Sequence, residues 1–193
     1  MLNVHVDLLD AHGQAVRAFD EAVHAIGDHD WGRHTPCTAW SVRDLVNHLA
    51  SEQLWAPPLL AGATLDDVGD RFDGDVLGDD PVAVWETAVE AAREAFLGEG
   101  VLLRTVHVSY GLIPAEEYGW QMTIDAAVHS WDLAIALGAP NPIKESLAER
   151  LLDVVRPWVD EWQGTGLFDP PVAVGRSATP AARLVALLGR KPR

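Results

Sequence analysis

QMTIDAAVHSWDLAIALG, residues 121–138, decides how the rest of the chain is read. Met122, Ile124, Ala126, Ala127, Val128, Trp131, Leu133, Ala134, Ile135, Ala136 and Leu137 make it apolar almost all round. A helix of that kind runs through the middle of a packed protein. Asp125 and His129 stand four residues apart, which stacks them on one face, one turn apart. Gln121 lies a turn above them and Asp132 about a turn below. A carboxylate and an imidazole so placed can share one metal ion, since both ligand types suit zinc. The same spacing also serves a simple charge pair on a solvent-facing stripe, so a third ligand elsewhere in the chain settles the reading.

That third residue comes from TPCTAWSVRDLVNHLA, residues 35–50. Ser41 can cap the free donors of a helix start, and Asp44 sits in the first turn, where the helix dipole favours negative charge. The predicted helix runs to about Trp55 and ends before Pro57 and Pro58. Its buried stripe holds Leu45, Leu49 and, between them, His48. A histidine among core leucines is ordinarily a hydrogen-bonded core residue; with Asp125 and His129 as partners it becomes a ligand candidate. Bundles build metal sites in this way, from side chains on facing helices.

The flanking chain supplies the rest of a bundle. Apolar spacing predicts a first helix over residues 3–26, stopped at Gly27, with His5, His12 and His24 expected to be mostly solvated. Residues 27–40 read as loop around Pro36, and residues 60–79 as a long Gly- and Asp-rich connection without the spacing of a calcium loop. Asp80 and Pro81 open a third helix ending near Leu97. Residues 101–118 look extended, as a short strand or an irregular crossover, with His107 and Tyr110 as pocket candidates lacking a partner. The fourth helix spans Pro114 to Leu137 with Gly138 as its terminator. Asn141 and Pro142 open a fifth, which Pro157 ends or kinks before Trp158 and Trp162. Residues 164–175 read as loop, Thr179 and Pro180 cap a last helix over 181–188, and the tail from Arg190 to Arg193 is expected to fray. The fold class is all-α: a four-helix bundle with a long crossover connection and extra C-terminal helices.

Composition narrows the function. The 193 residues, 48% of them hydrophobic, fit one domain over 1–193. A formal charge of −15 argues against a phosphate-facing nucleic-acid surface and against anionic lipid. No uninterrupted apolar run reaches the length of a spanning helix, and the N-terminus lacks a basic start followed by an apolar run. A single cysteine, Cys37, forms no internal disulfide and fits a reducing cytoplasm. No acid–base partner is adjacent to Cys37 in sequence, so it reads as a small, partly buried apolar residue rather than an internal nucleophile. Eight tryptophans are read as core and interface bulk, some lining a pocket.

The two motif blocks resemble a known family. TPCTAWSVRDLVNHLA matches the T-P-C-x-x-W-x-V-x-D-L-x-x-H pattern of actinobacterial proteins related to mycothiol-dependent maleylpyruvate isomerase, a group within the DinB-like superfamily of metal-binding four-helix bundles. DAAVHSWDLAIALG resembles the family's acid-x-x-x-His-x-W-D-L segment, and LVALLGRKPR resembles the ending of its compact, single-domain branch. The resemblance implies His48, Asp125 and His129 as ligands of a divalent ion, zinc or alternatively nickel. It implies mycothiol as thiol cosubstrate and an isomerase or S-transferase acting on a small electrophile, in a monomer or homodimer. Two departures stand out. The resemblance gives the isomerase Glu where this chain has Asp125, one methylene shorter, and a further C-terminal domain that this chain is expected to be too short to hold. Two other readings stay open: a non-catalytic metal-binding module, and a hydrogen-bonded polar core without metal.

Overall fold

The computed structural model describes residues 2–162 and 168–192. Its axis is α5 (Ala115–Leu137), buried on nearly every side from Ala115 to Ala136, as its all-round apolar sequence requires. Along it lies α1 (Leu2–His24), which buries Leu8, Ala11, Ala15, Phe19 and Val23. Gly119 permits the close approach: a Cβ there would stand 2.9 Å from Leu8 Cδ2 and 3.3 Å from Phe96 Cε1. The second pair is α2 (Val42–Leu60) on α4 (Pro81–Leu97), with α2 also crossing α5 and α1 touching α4. These four helices form the mainly α bundle that the patterning predicts, over one continuous core.

The helix starts follow their cap chemistry. Ser41 and Asp44 form a reciprocal capping box on α2, Asp80 accepts from Ala83 N ahead of Pro81, and Thr179 accepts from Ala182 N at α8 (Pro180–Leu187). Gly138, at φ 72°, ends α5 in the left-handed conformation. The connection after α2 contains one short helix, α3 (Leu65–Val68), with its own Thr64–Asp67 capping box. The extended stretch before α5 is a short 3₁₀ turn (Val101–Leu103) and an antiparallel hairpin, β1 (Thr105–Val108) with β2 (Gly111–Pro114). Beyond α5, α6 (Glu145–Val155) packs on α8, and α7 (Val159–Trp162) follows Pro157.

Four expectations are corrected. First, α2 does not stop before Pro57. Both prolines lie inside it, Ala61 N donates to Pro57 O at 3.0 Å, and buried Ala56, Leu59 and Leu60 tie the last turn to the core. Second, Asn141 does not cap the fifth helix. Its Oδ1 accepts from Ile143 N in a local turn, and α6 begins at Glu145. Third, His12 is buried at 1% exposure rather than solvated, ringed by Phe96 and Arg93. Fourth, the tail does not fray at Arg190, whose side chain is locked into the site described next. Residues 164–167 of the expected C-terminal loop, and Arg193, lie outside the described residues; 168–175 are irregular as expected.

Candidate functional site

The site forms where α2 and α5 face each other. His48 Nε2 lies 3.3 Å from Asp125 Oδ2, and His129 Nε2 lies 3.3 Å from Asp125 Oδ1. All three donor atoms fall within 4.8 Å of one another. Helical register accounts for this: Asp125 and His129 are one turn apart on α5, and His48 projects from the inner stripe of α2 beside buried Leu45 and Leu49. Two donors on a tetrahedral ion with ligand bonds of about 2.1 Å stand roughly 3.4 Å apart, so the spacing suits a zinc-like cation. Asp125 Oδ2 is buried, and among the described residues its one close polar neighbour is His48 Nε2, in an ion pair too poorly aligned to count as a hydrogen bond.

Charge tells the same story. Burial opposes ionisation of Asp125, but His129 and His48 outweigh it and hold its carboxyl below the usual carboxylate range. Burial likewise opposes a charged His48, yet Asp125 raises its pKa above the ordinary value. His129 is raised further, with Asp125, Asp132 and Cys37 overcoming burial. The buried carboxylate thus favours the protonated form of both imidazoles, and a divalent ion binding there would have to displace such protons.

The far side of His129 is equally built. Its Nδ1 is 2.9 Å from Asp132 Oδ2, so the Nδ1–H donates to the carboxylate and Nε2 is left facing Asp125 and His48. Asp132 is fully buried. Arg190 Nη2 donates to Asp132 Oδ2 at 2.8 Å, and its Nε lies 3.3 Å from both carboxylate oxygens. Cys37 completes the cluster, with its Sγ 3.3 Å from Asp132 Oδ2, 3.4 Å from Arg190 Nη2 and 3.9 Å from His129 Nδ1. Cys37, His129 and Asp132 also have metal-ligand proximity, but the guanidinium already supplies the cation that Asp132 needs.

A closed loop delivers Cys37 and Trp40. Thr35 Oγ1 accepts from Cys37 N at 3.1 Å and donates toward the Cys37 and Trp40 carbonyls. Trp40 N donates to Cys37 O at 2.7 Å, and Thr35 N to Trp40 O at 3.2 Å. Trp40 then covers the site, its ring centroid 4.8 Å from that of His48 and 5.7 Å from that of His129. A cavity of about 1390 Å³ opens beside the three donors. Its walls are residues 33–40, Trp131 and Ile135 of α5, and the C-terminal segments at 168–169 and 189–191.

The sequence-predicted residues sort cleanly. His48, Asp125 and His129 converge, while Gln121 bonds Tyr110 instead and His107 accepts from Leu65 N. Neither His107 nor Tyr110 lines the cavity. Glu52, one turn beyond His48, is a site residue absent from the sequence-based set, and its carboxyl is pushed up by burial and by Asp125. The pairing of Cys37 with Arg190, residues 153 positions apart, is likewise absent from it. The i, i+4 spacing from His48 was a usable signal for Glu52; no local signal existed for Arg190.

A family model described as the mycothiol maleylpyruvate isomerase N-terminal domain matches residues 12–134, a span that contains all three converging donors. The chain belongs to this family. Two proteins of Mycobacterium tuberculosis, one from strain CDC 1551 / Oshkosh and one from strain ATCC 25618 / H37Rv, are each 30% identical to this family member over 194 residues. The match covers 97% of this chain and all of each relative, and both relatives are described as uncharacterized proteins. No solved structure gives a significant match. Arg190 lies outside the matched span.

Proposed function

We propose that this family member binds a divalent metal ion, zinc or alternatively nickel, through His48, Asp125 and His129. We further propose that it uses mycothiol as cosubstrate in isomerisation of, or S-transfer to, a small electrophile. The observation that carries this reading is the set of 3.3 Å donor spacings opening onto a cavity of about 1390 Å³. A structural zinc site is closed by four protein ligands, whereas three ligands beside a cavity leave a position for a substrate group. A divalent ion held there would supply a site where a thiol binds as thiolate.

The chain's own residues do the remainder. Asp132 orients the His129 ring, Trp40 packs its ring against both imidazoles, and the cavity would hold the electrophile beside the donors. When a thiol adds to an activated alkene, a C–S bond forms as the π bond breaks. Rotation about the new single bond and loss of the thiol return the other geometric isomer. If the C–S bond is kept and the adjacent carbon protonated, the outcome is S-transfer. The cavity favours this reading over a non-catalytic metal-binding module, which needs no such volume.

The test is mycothiol binding. The metal-loaded protein is expected to bind mycothiol, and His129→Ala is expected to lose metal and thiol together. A folded His129→Ala variant that binds mycothiol normally would contradict the mechanism.

A further inference from the structure

We infer that Arg190, near the C-terminus, is a positioning residue of the metal centre, acting through Asp132 on His129. The inference rests on the proposed metal-ligand role of His129. Asp132 is fully buried, and a buried carboxylate needs partners for its remaining lone pairs. His129 supplies one hydrogen bond at 2.9 Å. Cys37 Sγ adds a weak one at 3.3 Å, and Arg190 supplies the charged pair, Nη2 to Oδ2 at 2.8 Å and Nε to Oδ1 at 3.3 Å, in the forked geometry that only a guanidinium offers. With both in place, Asp132 has one rotamer, and the plane of the His129 ring is set.

The latch is itself latched. Arg190 Nη1 donates to Leu188 O at 2.9 Å, Arg190 N donates to Val185 O at 2.9 Å, and the guanidinium carbon lies 5.5 Å over the Phe168 ring. Gly189, at φ 84°, makes the turn that brings Arg190 inward. A Cβ on Gly189 would stand 2.5 Å from Asp169 Cβ and 2.6 Å from its carbonyl oxygen, so the close approach of 189 to 169 requires glycine. The segment after α8 is thus part of the site, although the three donors all lie within residues 12–134. Removal of a partner that orients a metal ligand lowers metal affinity by about 10- to 100-fold.

The experiment measures Co²⁺ affinity by chelator competition, and the Co²⁺ absorption spectrum, in the full chain, Arg190→Gln, Arg190→Lys, Asp132→Asn and the Arg190→Gln/Asp132→Asn double variant. Arg190→Gln is expected to weaken Co²⁺ binding by about 10- to 100-fold and to move the ligand-field bands. Arg190→Lys is expected to recover only part of the loss, since it restores charge without the fork. The double variant, which leaves no buried charge unpaired, is expected to bind no more weakly than Asp132→Asn alone. Co²⁺ binding by folded Arg190→Gln within twofold of wild type, or losses that simply add in the double variant, overturns the inference. NMR of the His129 ring supplies a readout that needs no metal. Its Nδ1–H signal, shifted downfield by the bond to Asp132, is expected to move in Arg190→Gln; an unchanged signal overturns the latch. A wild-type chain that takes up no Co²⁺ overturns the metal reading itself, which separates the two failures.

Discussion

A lone buried histidine and a buried histidine pair lie inside this bundle, and their partners give them opposite characters. Between α1 and α4, His12 is buried against Phe96, with Arg93 Nη1 3.2 Å from its Nδ1. Burial and the neighbouring guanidinium both oppose a second positive charge, and its pKa is pushed down to about 3. Between α2 and α5, His48 and His129 are also largely enclosed, but they face Asp125, and their pKa values rise. Burial alone therefore does not mark a functional histidine; the sign of the neighbouring charge does. A neutral imidazole beside a cation is a core residue, whereas imidazoles converging on a buried carboxylate are a place for a cation.

The comparison breaks most visibly in metal binding. His129→Ala is expected to lower zinc affinity by at least about 1000-fold, as loss of one of three ligands implies, while His12→Gln leaves it unchanged. Chelator competition checks both, and equal losses in the two variants would erase the distinction between the lone histidine and the pair.

Next in size is the pH dependence. His48 and His129, the proposed ligands, have pKa values raised above the ordinary one, so their protons would have to leave for an ion to bind. Zinc affinity is expected to fall by about tenfold or more for each pH unit lowered below the raised values. A flat affinity between pH 8 and 6, roughly the range where imidazoles release protons, would contradict the charge assignment. Without metal, the same raised values stabilise the fold fully below the unfolded histidine pKa, and that contribution is lost as pH rises through the folded values.

His12 has the opposite sign. Its folded pKa is depressed, so the unfolded chain binds more protons between about 6.5 and about 3, and stability is lost as pH is lowered through that window. At pH 4 this amounts to at most about 3 kcal/mol. Urea unfolding is expected to show His12→Gln losing less stability than wild type between pH 6.5 and 4, the interval in which the unfolded histidine gains its proton and the folded one does not, by roughly that amount. Parallel losses in the two proteins would place the acid sensitivity elsewhere.

Smallest is the scaffold itself. Ser41→Ala removes the cap of α2 without touching a donor and is expected to cost about 1 kcal/mol in unfolding free energy, with zinc affinity retained.

Much of this was legible in the chain. The all-round apolar run at 121–138 gave away the central helix, and Asp–Pro, Thr–Pro and Ser-x-x-Asp signals marked helix starts because cap chemistry is local. Register alone put His48 on an inner stripe and Asp125 and His129 on one face, so the three-donor set needed only that α2 and α5 be neighbours. What stayed hidden depends on distant contacts. His12 looked like one of several histidines on an amphipathic helix until Arg93 packed over it. Cys37 looked inert because its partners Asp132 and Arg190 are 95 and 153 residues away. Arg190 sits in a polar tail whose composition suggests fraying, and only the turn at Gly189 brings it inward. Pro57 and Pro58 misled for the same reason, since burial of Ala56, Leu59 and Leu60 overrides their local preference.

The most direct test of the metal assignment is zinc stoichiometry by elemental analysis on untagged protein purified without chelator, run beside His48→Ala, His129→Ala and His12→Gln. The expected result is about one equivalent in wild type and His12→Gln and none in the other two, as a three-ligand site requires. No zinc or nickel in wild type after reconstitution, or full occupancy in His129→Ala, would contradict it and leave Asp125, His48 and His129 as a hydrogen-bonded polar core.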